Sequence, residues 1–326
     1  MDNSAMDIDV LRIVCSVVLV AAFVFANATV MGYLERKLAG RFQRRLGPME
    51  VGWHGILQMP VDGIKLLAKR MVVPQQAEGL VFRLAPVISL SPVLLPLIAI
   101  PFSPALQVVD MPAGLIFVLA IEAFGTIGVF LAGWSANNKY AMIGAMRSVA
   151  QNIAYEIPIL LVALAVALKA GSFSLAEIVL SQAALWFVAL QPFGFLIYLV
   201  AGLSECNRAP FDLPEAESEL TAGYLTEYSG IGFSLFMIAE YTHMFTICCL
   251  ATVLFLGGWH GPALPWPAYS SAIWFFMKAY GLMFVMVWVR WTFPRVRYDQ
   301  LMKFAWKYLI PFALVNLLIT ALVVCI

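Results

Sequence analysis

Long unbroken runs of apolar residues alternate along the chain with short segments that carry nearly all of the charge. Eight runs, at 11–33, 84–109, 112–133, 148–169, 178–203, 231–257, 270–290 and 305–326, reach the length of about 20 residues that a helix needs to cross a bilayer. The apolar positions are continuous rather than alternating, which excludes the strands of a transmembrane barrel. The pattern predicts an all-α integral membrane protein, a single polytopic domain over residues 1–326 with eight transmembrane helices. Pro86, Pro92, Pro96 and Pro101 crowd the second run. Prolines in a span free carbonyls, and that is tolerated only where neighbours or cavity water satisfy them.

A shorter rhythm lies between the first and second runs. Leu57, Val61, Ile64, Ala68 and Met71 step at helical spacing, with Gln58, Asp62, Lys65 and Lys69 one residue on. That spacing predicts an amphipathic helix at the membrane interface, with Pro60 in its first turn. Between the fifth and sixth runs lies a segment dense in acids, predicted to be a structured loop. No tandem repeat, low-complexity run or second soluble domain is evident.

Composition agrees. Hydrophobic residues make up 62% of the chain and charged ones 12%, against about 45–50% and about 25% in a soluble domain. A soluble enzyme and a nucleic-acid binder are thereby excluded. The net charge of +1 says little, but its distribution says more. Seventeen of the 20 Lys and Arg residues fall on segments of one side, beginning with Arg36, Lys37, Arg41, Arg44 and Arg45 and ending with Lys303 and Lys307. The excess of positive charge predicts that these segments are cytoplasmic, the amphipathic helix and acidic loop among them, and that both termini lie outside. Cys15, Cys206, Cys248, Cys249 and Cys325 form no C-x-x-C pair, so no disulfide framework or iron–sulfur motif is written here. Of His54, His243 and His260, only His243 lies in a long apolar run, one short of the usual pair for a membrane haem. The start, with Asp2, Asp7 and Asp9, lacks the basic region of a cleaved signal peptide.

Against this background the intramembrane acids stand out. Glu122, Glu156 and Glu240 fall within runs, and Glu205 at the inner end of another. A carboxylate in a span is costly and points to function; a buried, hydrogen-bonded packing residue is the plainer alternative for each, and four in one chain suggest a polar path through the interior. After Glu205 come Arg208, Asp212, Glu215, Glu217, Glu219 and Glu227. Asp212 and Glu215, with Pro214, suit a capping box, after which Glu215 and Glu219 share a helix face. The plainer reading is a capped acidic surface helix; the alternative is a cluster whose like charges raise one another's proton affinity. Arg290, Arg295 and Arg297 suit either interfacial anchoring or counter-charge to the acidic loop, and Glu35-Arg36-Lys37 suits the same kind of pairing. Lys169 and Lys278 are expected to snorkel or pair near the outer face. His243, three residues from Glu240, is expected to be packed and neutral.

Several stretches carry a resemblance. They are Gly32-Tyr-Leu-Glu-Arg-Lys37, Arg45-Leu-Gly-Pro48, Val51-Gly-Trp53, Ala132-Gly-Trp-Ser135 with Asn137-Asn-Lys-Tyr140, Gly144-Ala-Met-Arg147, Ala150-Gln-Asn-Ile-Ala-Tyr-Glu156, the acidic loop from Glu205 to Gly230, and Pro294-Arg-Val-Arg-Tyr-Asp299. Through them essentially the whole chain resembles the H subunits of respiratory complex I, the proton-pumping NADH:quinone oxidoreductase. The resemblance implies eight transmembrane helices and a bacterial inner-membrane location. It implies a heel on which the hydrophilic arm docks, and a share in the chamber where quinone (ubiquinone or menaquinone) is reduced. NADH, FMN and the iron–sulfur clusters would belong to partner subunits. The partners would be the quinone-site subunits of the hydrophilic arm, small and antiporter-like membrane subunits, and membrane lipid. By the same resemblance Glu205, Glu215, Glu217, Glu219, Glu227 and Glu240 match the acids linking chamber and membrane interior, and Glu156 continues that path. Arg36, Asp62, Lys65, Arg208, Arg290 and Arg297 match charges around the chamber and its entrance. Glu122 stands near a position where family members place an acid variably. The related membrane subunit of energy-converting hydrogenases is the nearest alternative, disfavoured by the full acidic loop and by the Glu-Arg-Lys and Arg-Leu-Gly-Pro motifs. A stand-alone secondary transporter is expected to show inverted repeats with broken helices in matching halves, and the sequence displays neither.

The orientation is open to a direct check. Single cysteines at Gly40 and Leu220 should react with a membrane-impermeant maleimide from the cytoplasmic side, and those at Asn3 and His260 from the other. Labelling of Gly40 and His260 from one side would disprove the arrangement.

Overall fold

A computed structural model describes the backbone of residues 3–214, 217–262 and 267–325 and the side chains of residues 18–214, 219–262 and 269–324. Among them the only strand-like pairing is an isolated bridge between Ser103 and Leu106. Helix α1 (Asn3–Phe42) is followed by a 3-10 turn at Trp53–Gly55 and by α2 (Gln58–Ala68). Helices α3 (Gly79–Leu94) and α4 (Pro96–Ala99) run on from each other, as do α5 (Gly114–Ala123) and α6 (Gly125–Ser135). The long α7 (Lys139–Ala170) precedes three short pieces, α8 (Leu175–Ser181), α9 (Phe187–Leu190) and α10 (Pro192–Glu205). The single turn α11 (Glu217–Leu220) belongs to the acidic segment. The chain ends with α12 (Gly230–Phe255), α13 (Pro267–Thr292), α14 (Tyr298–Phe304), a π turn at Ala305–Leu309 and α15 (Ile310–Cys325).

Seven helical stretches among the described residues are long and apolar enough to cross a membrane, and the chain is a multi-pass membrane protein. They answer seven of the eight expected runs. The remaining run, 178–203, is broken between α8 and α10. At about 1.5 Å per residue the 14 residues of α10 span about 21 Å, short of the about 30 Å of a hydrocarbon core. The break escapes a hydropathy reading because its residues, Ala183, Ala184, Leu185 and Trp186, are themselves apolar.

Buried Gln182 makes the break possible, since its side chain takes the place of missing backbone partners. Its amide donates to the carbonyls of Ile178 (3.1 Å) and Val253 (2.7 Å), and its oxygen accepts from the N–H groups of Phe187 (3.2 Å) and Gly257 (3.0 Å). Lys278 completes the knot. Its ammonium donates to the carbonyls of Leu256 (2.6 Å), Gly258 (3.0 Å) and His260 (2.5 Å), with the Trp186 ring 4.3 Å away. The expected snorkelling lysine is therefore a cap on the C-terminus of α12.

Helix α12 is the axis of the bundle. Every residue from Met244 to Phe255 is buried, as an all-round apolar helix requires. Helices α1, α2, α3, α10 and α13 pack around it. By contrast α15 exposes Leu314, Leu318 and Leu322 to the lipid side. Helix α2 forms where the helical rhythm predicts, but Leu57, Ile64 and Leu67 are exposed while Met59 and Leu66 turn toward α1 and α12.

Small residues set the closest approaches. A Cβ on Gly128 of α6 would lie 2.6 Å from Ser89 Cα of α3, a backbone atom that cannot yield. Gly281 of α13 has nothing within 4 Å. Gly128→Ala should thus destabilise the protein by about 1–3 kcal/mol, the usual penalty of overpacking. Gly281→Ala should leave the thermal midpoint of the purified protein unchanged or higher, and equal midpoints for the two variants would refute the packing account.

Candidate functional site

Two cavities open near the positively flanked end of the bundle. The first, of about 360 Å³, lies between α1, α2 and α12. Its wall is mostly apolar, with Phe25, Ala28, Met59, Leu66 and Ile238 among its residues. Its polar groups are few: Arg36, Asp62, Thr29, Ser234 and Tyr241. Arg36 pairs with Asp62 at 2.7 Å, and Gln58 donates to the other Asp62 oxygen at 3.0 Å. Both belong to the charges expected around a chamber. Lys65, expected with them, is exposed on α2 and does not line the cavity. The Arg45–Pro48 stretch folds back on α1, where Lys37 donates to the Pro48 carbonyl at 2.6 Å.

The second cavity is polar and small, about 50 Å³. It gathers Glu122 from α5, Glu156 from α7, Glu205 from α10, and Glu240 and His243 from α12. All four intramembrane acids thus meet at one place, although they lie on four helices and span more than a hundred residues of sequence. Asn152, Asn207 and Tyr224 add polar atoms to the wall. Oxygens of Glu122, Asn152 and Asn207 there have no protein partner, and such a wall is suited to water. His243 lies nearest Glu205 rather than Glu240, with Nε2 at 3.9 Å from Oε1, beyond hydrogen-bond reach.

Between the cavities stands Arg208, only 4% exposed. Its guanidinium pairs with Glu240 Oε2 at 3.1 Å and lies 4.8 Å over the Tyr241 ring. Tyr241 faces the apolar cavity and Glu240 the polar one, so adjacent residues of α12 and one arginine join the two spaces. The Tyr241 hydroxyl lies against buried Glu35, which Arg290 holds in a part-buried ion pair. Arg290 therefore makes its direct contact at the end of α1 and acts on Asp212 of the acidic segment only through space. Arg295 meets that segment instead, 3.8 Å from Asp212. Burial raises the Asp212 carboxyl above the ordinary carboxylate range, an effect that the Arg295 guanidinium partly offsets. Arg297 is exposed and lines a surface hollow with Arg147, Glu219 and Arg295.

The acidic segment does not behave as one mutually repelling cluster. The Arg147 guanidinium bonds Glu219 at 2.6 Å and holds its carboxyl below the ordinary range, the reverse of the expected rise. Both groups face solvent, which keeps the pair weak. Glu227 accepts from Asn138 Nδ2 at 2.6 Å, and the Asn138 oxygen caps the start of α7 at Tyr140 N–H. Glu215 and the side chain of Glu217 lie outside the described residues, as does the expected capping box with Asp212. Fully buried Gln151 pins the segment to α7 by donating to the Ser204 carbonyl (2.7 Å) and the Phe211 carbonyl (2.9 Å). Sequence reasoning missed Tyr224, Tyr241 and Gln151 as parts of the site. Arg147, Gln151 and Tyr224 at least stand in stretches that carried the resemblance, whereas Tyr241 stands in none.

These features define a polytopic helical membrane protein that keeps a buried set of charges beside an apolar cavity. The family model described as NADH dehydrogenase matches residues 14–321. The NADH-quinone oxidoreductase H subunit numbered 1 of Geobacter sulfurreducens is 43% identical over 335 residues, covering 96% of this chain and 95% of that protein. The NADH-quinone oxidoreductase H subunit of Geobacillus kaustophilus is 48% identical over 307 residues, covering 94% and 92%. The one numbered 2 in Rhizobium meliloti is 44% identical over 320 residues, covering 95% and 97%. The chain belongs to this family: it is a membrane subunit of complex I, of the H type, and part of a multisubunit oxidoreductase.

An arginine cannot shed its charge when buried, so losing one partner of the Arg208–Glu240 pair strands the other. Arg208→Gln should lower the stability of the assembled complex by about 3 kcal/mol or more. The double variant Arg208→Gln/Glu240→Gln should recover most of that loss, read as thermal midpoint and yield of assembled complex. A double variant worse than either single one would show that the pair is not the source of the effect.

Proposed function

We propose that this chain contributes to the quinone chamber of a proton-pumping NADH:quinone oxidoreductase, and that its buried acids couple quinone reduction to proton translocation. The observation that carries the proposal is the pair of cavities joined through Tyr241, Arg208 and Glu240. An apolar space with a few polar groups at its wall suits the ring and tail of a quinone. Arg36 and Asp62 stand at its cytoplasmic side as entrance charges. Reduction of the quinone places negative charge, then draws two protons, in a region of low dielectric where charges act strongly on one another. Arg208 feels that charge from one side and holds Glu240 on the other. Glu205, Glu156 and Glu122 continue from Glu240 across the polar cavity, and interacting acids of this kind change protonation as a group.

In this reading Glu215, Glu217, Glu219 and Glu227, with Lys65, Arg290 and Arg297, border the chamber together with partner subunits of the hydrophilic arm. Electrons arrive from NADH through FMN and iron–sulfur clusters that the partners hold, and the antiporter-like subunits receive the coupling signal. The chain carries no redox centre and is not catalytic alone. It crosses a bacterial inner membrane eight times, the broken run 178–203 making the eighth crossing, with both termini outside.

The test uses membranes carrying the assembled complex, with quinone-reduction and artificial-acceptor rates both normalised to the amount of assembled complex. Glu156→Gln and Glu205→Gln keep shape and hydrogen-bonding capacity but remove the ionisable proton. Both should lower quinone reduction and proton pumping several-fold while the artificial-acceptor rate persists. Ala28→Phe, which fills the apolar cavity, should raise the KM for a short-tailed quinone several-fold with a smaller effect on kcat. Parental behaviour in all three variants would overturn the proposal.

A further inference from the structure

Glu240 is gripped from two points of the acidic segment. Arg208, near the start of that segment, takes Oε2 at 3.1 Å, and the Tyr224 hydroxyl, near its end, donates to Oε1 at 2.9 Å. Tyr224 is 2% exposed and lines the polar cavity, although it belongs to the loop that precedes α12. Across that cavity Glu240 faces Glu122, Glu156, Glu205 and His243.

The backbone is shaped to deliver this phenol. Tyr224 rides on a 3-10 turn, Gly223–Leu225, whose first residue has a φ of 54°, in the left-handed region that suits glycine. The turn presses on α7 at Gly144, where a Cβ would lie 2.7 Å from Gly223 Cα and 3.0 Å from Tyr224 N. Phe236 meets the Tyr224 ring edge-on at 5.5 Å and 72°. Tyr228 fixes the end of the same segment by stacking on Phe82 at 4.1 Å and donating to the Phe82 carbonyl at 3.1 Å. Packing alone would be met by a phenylalanine at 224; the oxygen, aimed at a carboxylate, is what packing does not require.

We infer that Tyr224 is a positioning residue, tying the acidic segment to Glu240 and holding that carboxylate where the buried acids respond to chemistry in the apolar cavity. The inference rests on the coupling role proposed above. Arg208 supplies the charge that balances Glu240, and Tyr224 supplies the direction. A segment that shifts at the face of the bundle withdraws the phenol and leaves the carboxylate free to turn toward the polar cavity. Tyr224 thereby makes the segment's position legible to the acids behind it.

The experiment is a double-mutant cycle in membranes carrying the whole complex, with rates normalised to the amount of assembled complex. Tyr224→Phe should leave the artificial-acceptor rate and the quinone KM unchanged. Turnover and pumping should fall about tenfold, the scale of one hydrogen bond to a charged group. In a Glu240→Gln background the same substitution should have no further effect, because no carboxylate is left there for the phenol to position. If Glu240→Gln leaves too little turnover to measure, the pH profile of Tyr224→Phe decides. A phenol that positions a titrating carboxylate moves the profile along the pH axis when removed, whereas lost packing scales the profile without moving it. Equal losses in both backgrounds, an unmoved profile, or parental turnover in Tyr224→Phe beside a damaged Glu240→Gln would overturn the inference while leaving the coupling role intact. Parental rates in Glu240→Gln would overturn the coupling role itself.

Discussion

A guanidinium out of reach of solvent has no way to become neutral, and the site is organised around that fact. Arg208 needs a counter-charge, and Glu240 provides it; it needs a polarisable surface for its open face, and the Tyr241 ring provides that. Both neighbours come from the same turn of α12, whose two sides look into different spaces. The acids across the polar cavity then share their surroundings with an ion pair whose positive member is permanent. A single buried arginine therefore ties one of the four intramembrane acids, Glu240, to the acidic segment.

The rest of the bundle serves to keep that arrangement in register. Helix α12 is wrapped on all sides in its C-terminal half, where no residue from Met244 to Phe255 reaches solvent. Its N-terminal half, with Glu240 and Tyr241, is flanked by cavities instead. Gln151 and Tyr228 fasten the acidic segment to α7 and α3 through main-chain carbonyls, so that segment is held by few but specific bonds. The apolar wall of the larger cavity depends on α2, which contributes Met59, Ile64, Leu66 and Leu67 to it.

Much of this was legible in the sequence, for physical reasons. Burial in lipid demands long apolar runs, so seven crossing helices could be read from hydropathy alone. An acid in such a run is conspicuous because it is costly, and Glu122, Glu156, Glu205 and Glu240 do converge. What failed to show were relations between distant residues. Arg147 meets Glu219 across 72 positions, and Arg290 meets Glu35 across 255. A local charge count could not anticipate either, and it led to the wrong expectation for the proton affinity of Glu219. The interruption of the run at 178–203 was hidden because its loop is made of apolar residues, with one buried glutamine bonding to both of its flanks and to α12.

That glutamine and Lys278 have a mechanical consequence. Together they fasten the C-terminal end of α12 and the residues just after it to its neighbours by five side-chain hydrogen bonds, making that end a pivot. Glu240 lies fifteen residues before Phe255, the last residue of α12, a lever arm of about 23 Å at about 1.5 Å per residue. A tilt of about 5° at the pivot displaces the far end of such an arm by about 2 Å, which would carry a contact of 2.9 Å well beyond bonding range. Rigidity at one end of the helix thus confers sensitivity at the other: a rotation too small to disturb the packed half is large enough to make or break a bond at the charged half.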